Sequence, residues 1–235
     1  MKLNTYISPE LIINADNQKA MIFFFYLKSK YDNSVFYGYT PEKLSQLTGL
    51  AINTVRKYVG YLVRKGYAKR LNGTLWLKST YKISNERLIK VDTRPWTTFE
   101  QFMHRVYAAI IKWNITKQAF HYEMKSLPGN LKKKIDVRKH RNYIRTYGKY
   151  TKESELCKPI NSIRQIARLF NRSQGWAQKM LSRLVKMKYA TISQQIEGLT
   201  GYVPPKYYTG FGFAYFNKHR GITCIHHGTL IKLTY

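Results

Sequence analysis

Residues 40–68 (TPEKLSQLTGLAINTVRKYVGYLVRKGYA) lie without a gap on residues 162–190 (SIRQIARLFNRSQGWAQKMLSRLVKMKYA) at an offset of 122 positions. Leu44 falls on Ile166, Leu47 on Leu169, Val55 on Ala177, Tyr58 on Met180 and Val59 on Leu181. Leu62-Val63 falls on Leu184-Val185, and Tyr67-Ala68 recurs as Tyr189-Ala190. A segment repeated with its apolar positions in register builds the same packed unit twice, so two modules are expected. Each copy reads as a short helix, a turn and a longer basic helix that runs into a strand.

Local signals support that reading in the first copy. Upstream, Asn14 or Asp16 is expected to cap a helix running to about Lys30, whose AMIFFFYL centre is apolar nearly all round and so needs neighbours on several sides. Val35 to Tyr39 is a short β-type run. Thr40 caps the next helix, with Pro41 where a missing N–H breaks no bond. Thr48-Gly49 stops it, and Asn171 stands at the matching turn of the second copy. Ala51 or Asn53 opens the longer helix, which continues to Lys65 and ends at Gly66. Val55, Tyr58, Val59 and Leu62 are spaced to face the core; Asn53, Thr54, Arg56, Lys57, Tyr61 and Arg64 fall mainly on other faces. Tyr67 to Leu71, Asn72-Gly73 and Thr74 to Ile83 read as a β-hairpin with a type I′ turn.

Helix, short strand, two helices and a hairpin in that order resemble the winged-helix family over roughly residues 14–84. The expected fold class is therefore α+β, mainly helical, with two winged-helix modules in tandem. The first covers 1–90, with its helix-turn-helix at 40–65 and its wing at 67–83. Ser84 to Thr93 reads as a connector, and Arg94-Pro95 breaks regular structure. The second covers 94–235. It has opening helices over 97–126 (a Thr97-x-x-Glu100 capping box, then a second stretch from Thr116 to Lys125), a basic segment at 125–152, a helix-turn-helix at 162–188 and an extended wing at 189–235. Strand-like runs in that wing are Phe213 to Asn217, Ile222 to His226 and Leu230 to Leu233.

Charge narrows the function. The 235 residues carry 41 Lys and Arg against 12 Asp and Glu, a net charge of +29, and only Glu197 lies beyond Glu155 among the acids. Such an excess repels itself on folding and calls for a polyanion. With 44% hydrophobic residues there is enough apolar material for packed cores. Two cysteines make neither a disulfide scaffold nor a four-ligand zinc site, which suggests a reducing compartment. The N-terminal residues lack a signal core and Ala20 to Leu27 is too short to span a bilayer. A soluble intracellular protein, cytoplasmic and nucleoid-associated, without membrane or cofactor, is expected.

A helix-turn-helix places its second helix in the major groove, where residues near the helix N-terminus reach base edges. Asn53, Thr54, Arg56 and Lys57 hold those positions in the first copy and Arg172, Ser173, Gln174, Gln178 and Lys179 in the second, with Arg64 and Arg183 further along toward the backbone. Asn, Gln and Arg can pair bidentately with adenine or guanine, and Thr can touch a thymine methyl. Trp176, aligned with Thr54, either packs against the wing or stacks on bases. Lys69, Arg70, Lys218 and Arg220 mark wing tips. Lys132, Lys133, Lys134, Arg138 and Arg141, with interleaved tyrosines, are expected on phosphates.

Enzyme chemistry is not expected. Cys224, His226 and His227 are ligand types, but neighbours on a strand point to opposite faces. The sparse acids do not cluster for two-metal chemistry, and the chain has neither a His-x-His pair beside its tyrosines nor a glycine-rich phosphate loop. The tandem arrangement resembles the replication initiators of plasmids and phages, which implies double-stranded DNA as partner, origin repeats as sites, and contacts with other replication or transcription proteins. Transcription regulation is the companion expectation. Non-specific genome coating and binding of RNA or single-stranded DNA, through stacking aromatics, are the competing ones.

Overall fold

The computed structural model describes residues 4–31, 34–84, 88–92, 97–126, 163–198, 213–217 and 222–233. The described residues form an α+β mix, mostly helical, with antiparallel strands. The chain divides into two compact units, one up to Ile110 and the other from Ile111.

In the first unit β1 (Asn4–Ile7) leads into α1 (Pro9–Ile13), where the Ser8 hydroxyl accepts the Leu11 N–H at 3.2 Å. Then α2 (Gln18–Lys30) is capped by Asn17, whose side chain accepts the Ala20 N–H at 3.1 Å. The cap is therefore neither of the residues expected for it. Asn14 ends α1, and Asp16 instead pairs with Lys65 at 2.7 Å. Every residue from Ala20 to Leu27 is buried. Phe23 meets Tyr58 and Phe99 at ring separations of 5.5 and 5.9 Å, Tyr26 meets Phe99 and Phe102 at 5.5 Å each, and Phe24 meets Tyr67 at 6.4 Å. An all-round apolar helix is thus the centre of the unit, with neighbours on several sides.

Next come β2 (Val35–Phe36), α3 (Pro41–Thr48), α4 (Ile52–Arg64), β3 (Ala68–Leu71) and β4 (Thr74–Leu77). The strands form an antiparallel sheet in the order β2-β4-β3. Asn72 and Gly73 both have positive φ, 48° and 67°, as a type I′ turn requires. The hairpin is shorter than expected. It stops at Leu77, and α5 (Thr80–Ile83) follows.

The expected connector contains β5 (Ile89–Asp92), which pairs antiparallel with β1 from Asn4 opposite Asp92 to Ile7 opposite Ile89. The two expected opening helices are one, α6 (Phe99–Ser126), and its first turns belong to the first unit. The module boundary set at residues 90–94 therefore falls later, within α6, because Phe99 and Phe102 pack on α2. Its capping box is shifted by one residue. The Thr98 hydroxyl accepts the Gln101 N–H at 3.2 Å, and the Gln101 side chain accepts the Thr98 N–H at 3.1 Å. Thr97 is buried, and its carbonyl accepts the Tyr26 hydroxyl at 3.3 Å.

That bond carries a prediction. Burial, with a smaller contribution from Tyr31, pushes the Tyr26 hydroxyl up from 10.0 to about 12. Above pH 10 the unfolded chain releases this proton while the folded chain keeps it, so stability falls as pH rises until about 12. Tyr26→Phe is expected to lose about 1 kcal/mol at neutral pH, with the Thr97 carbonyl left unpaired. It is also expected to make the alkaline fall shallower in urea titrations. Tyr39, Tyr58 and Tyr61, likewise raised chiefly by burial, add to the fall.

The second unit holds α7 (Ile163–Leu169), α8 (Gln174–Lys186) and a sheet of β6 (Ala190–Gly198), β7 (Phe213–Asn217) and β8 (Ile222–Leu233). The order is β6-β8-β7, all antiparallel, with an irregularity between Gln195 and Ile196. The two runs expected after residue 221 are one strand, β8.

The duplication extends to the backbone. Helices α4 and α8 have 13 residues each at the 122-residue offset. Both end in the same pair of bonds: Gly66 to the Val63 carbonyl and Tyr67 to the Leu62 carbonyl in one, Lys188 to Val185 and Tyr189 to Leu184 in the other. Gly66 and Lys188 are both left-handed, at φ 70° and 60°, as are Gly49 and Asn171 at 70° and 50°. Leu44, Val55, Val59, Leu62 and Ala68 are buried, and so are Ile166, Ala177, Leu181, Leu184 and Ala190.

Candidate nucleic-acid interface

At 100° per residue, the core-facing side of α4 carries Val55, Val59 and Leu62, and the opposite side carries positions 53, 56, 57, 60 and 64. Asn53, Arg56, Lys57 and Arg64 are exposed along that side, with no acid in the first turn of the helix. Thr54 is half-buried at its edge. Tyr61, expected off the core, is buried. Lys69 and Arg70 are exposed on β3. Arg70 also lies near the Tyr39 hydroxyl, whose pKa it draws down against the larger upward effect of burial.

Arg56, Lys57, Arg64 and Arg70 share one groove of about 950 Å³, lined also by Tyr39 and Gly60. Four cations along a concave surface focus positive potential on whatever enters it. Among the described residues one acid touches the set: Glu42 Oε1 lies 3.3 Å from Arg56 Nη2, with both side chains more than half exposed. An exposed pair of this kind is worth about 0–1 kcal/mol, so a phosphate or guanine can displace the carboxylate. Glu42→Gln is therefore expected to tighten duplex binding by up to about fivefold. Its stability cost should be about 0.3–1 kcal/mol, for the lost anion in the first turn of α3. Fluorescence anisotropy titrations and thermal melts check both halves.

In the second unit Arg172, Ser173, Gln174, Gln178, Lys179 and Arg183 are all exposed. Ser173 is also the cap of α8, its hydroxyl accepting the Trp176 N–H at 3.2 Å, so its first role is local. Trp176 is half-buried and stands edge-on to Phe170, at 5.4 Å between ring centres. That ring contact lies on the turn before its own helix. Lys132, Lys133, Lys134, Arg138, Arg141, Lys218 and Arg220 lie outside the described residues. Comparison with protein-family models, curated proteins and solved structures finds no match. Among the described residues no helix is long and apolar enough to cross a membrane.

Three features escaped sequence reasoning. Gly60 and Ser182, at matching positions, occupy the middle of the exposed faces of α4 and α8, and Lys186 matches Arg64. Carrying the helical wheel one turn further would have found them. Tyr37 and Trp76 are exposed aromatics 6.5 Å apart on the outer side of the β2-β4-β3 sheet, with Lys69 opposite Trp76 across the strands. The alternation Thr74-Leu75-Trp76-Leu77, with Leu75 and Leu77 inward, is the signal for Trp76.

Proposed function

We propose that the chain is a sequence-selective double-stranded DNA-binding protein built from two winged-helix modules in tandem. It acts as a replication initiator or transcription regulator of a phage or mobile element and is nucleoid-associated in the host cytoplasm. The observation that carries this reading is the repeated helix. Both α4 and α8, of equal length and identical C-terminal bonding, bury one face and turn outward a face with cations and no acid. Helix N-termini without an acid in the first turn favour phosphate at both places. The wing residue Arg70 lines the same groove as the α4 face. The two readers differ in their outward residues, so the site is expected to be two unlike half-sites rather than a strict palindrome.

A pull-down of sheared genomic fragments at about 150 mM salt, followed by sequencing, tests the reading. An enriched motif supports a regulator or initiator; uniform recovery sinks sequence selectivity in favour of genome coating. With the motif in hand, Arg56→Ala should lose about 1–3 kcal/mol of discrimination at one position while leaving random-duplex binding nearly unchanged.

The exposed Tyr37 and Trp76 pair favours a second reading, in which a single strand of DNA or RNA stacks on the outer face of the sheet. Base stacking on such a ring contributes about 1–3 kcal/mol per base. Trp76→Ala should then weaken oligothymidine binding and leave duplex binding intact. An unchanged affinity for oligothymidine removes this reading.

A further inference from the structure

Gly60 has no explanation within the fold. It stands in the interior of α4, where glycine is less favourable than alanine by about 0.5–1 kcal/mol. Its φ is not positive, so the backbone does not require glycine there. A Cβ built on it would meet nothing within 4 Å, so packing does not require glycine either. The residue lies in the centre of the outward face, between Asn53 and Arg64 along the helix and flanked by Arg56 and Lys57.

We infer that Gly60 is a close-approach point, at which the bare backbone of α4 comes into van der Waals contact with the floor of a DNA major groove. This rests on the reading of α4 as a recognition helix and adds how that helix is seated. Missing side-chain bulk lets a backbone approach a ligand closely. The surrounding cations then reach phosphates and base edges on both sides, because a helix about 10–12 Å across only just enters a groove about 12 Å wide. The second copy follows the same rule. Ser182 stands at the position of Gly60, and its hydroxyl donates to the Gln178 carbonyl at 2.9 Å, folded back on its own helix. Gly175 stands at the position of Asn53, and a Cβ there would also meet nothing.

The test separates folding from binding because the two effects have opposite signs. In the full chain, Gly60→Ala should raise Tm by about 2–8 °C through helix propensity alone. It should also weaken binding to a labelled duplex carrying the motif recovered in the pull-down by at least about fivefold, because the added methyl overpacks a close contact. Gly60→Leu should weaken it by about a further tenfold. Arg56→Ala, measured beside them, reports whether the face is used at all. Weaker binding from Arg56→Ala with native affinity in both Gly60 variants overturns the close approach and leaves the DNA face standing. Native affinity in all three overturns the assignment of α4 as the reading helix, and the inference with it. A lower Tm for Gly60→Ala gives the glycine a folding role and also overturns the inference.

Discussion

Phe23→Ala is expected to destabilise the first unit by about 3–5 kcal/mol, the range for truncating a buried aromatic to alanine. Phe23 is fully buried on α2, and its ring touches Tyr58 of α4 and Phe99 of α6. Domains of this size have about 5–15 kcal/mol in all, so the change removes a large fraction of the margin. Each kcal/mol corresponds to about 4–8 °C of Tm in a domain of about 60–100 residues. The ring is the joint between the central helix and the proposed reading helix, so duplex affinity should fall along with the fold. Phe23→Leu, which keeps most of the apolar volume, should cost markedly less and retain binding. Thermal melts followed by circular dichroism, with anisotropy titrations at a temperature where each variant is folded, check this. A Phe23→Ala protein that melts like the native chain would show that α2 is not the centre of the unit.

Raising salt from about 50 to about 200 mM is expected to weaken duplex binding by about 10³–10⁵-fold, for a protein making about 6–10 phosphate contacts. The net charge of +29 makes such a number of contacts available, and the groove beside α4 alone offers Arg56, Lys57, Arg64 and Arg70. Each cation that meets a phosphate adds nearly one unit to the slope of log affinity against log salt. Lys133→Ala should flatten the slope by about one unit for every sequence alike, whereas Arg56→Ala should act on base preference. Affinity that barely changes with salt would leave the charge without a polyanion and remove the proposed function.

Much of the local structure was legible before any tertiary contact was known. Thr40 caps α3, its hydroxyl accepting the Lys43 N–H at 3.2 Å, and Pro41, Gly49 and Asn72-Gly73 take the roles their backbone preferences imply. These signals act within four residues, so the chain carries them wherever it is placed. The repeat was legible for a related reason. Leu62 and Leu184 keep the 3.6-residue period that buries one face, and the cations fall on the other face by subtraction.

Neighbours distant in sequence decided the rest. Periodicity identifies an apolar face but not what covers it. The stripe of Phe99 and Phe102 was legible, while its docking onto Phe23 and Tyr26 of the first unit was not. The pairing of β1 with β5 joins segments separated by α1 to α5, and four residues such as Ile89–Asp92 carry too little pattern to announce a strand. Thr97-x-x-Glu100 and Thr98-x-x-Gln101 are equally good capping boxes by composition. Burial of Thr97, with its carbonyl bonded to Tyr26, leaves Thr98 as the one free to cap. Tyr61 has an apolar ring and a polar end, and its burial is decided by neighbours outside its own helix. Residues 40–68 and 162–190 thus carry two helical frames and their charged faces in local chemistry. The assignment of the first turns of α6 and the shape of the groove at Gly60 come from packing between segments far apart in the chain, whose energy depends on all partners at once.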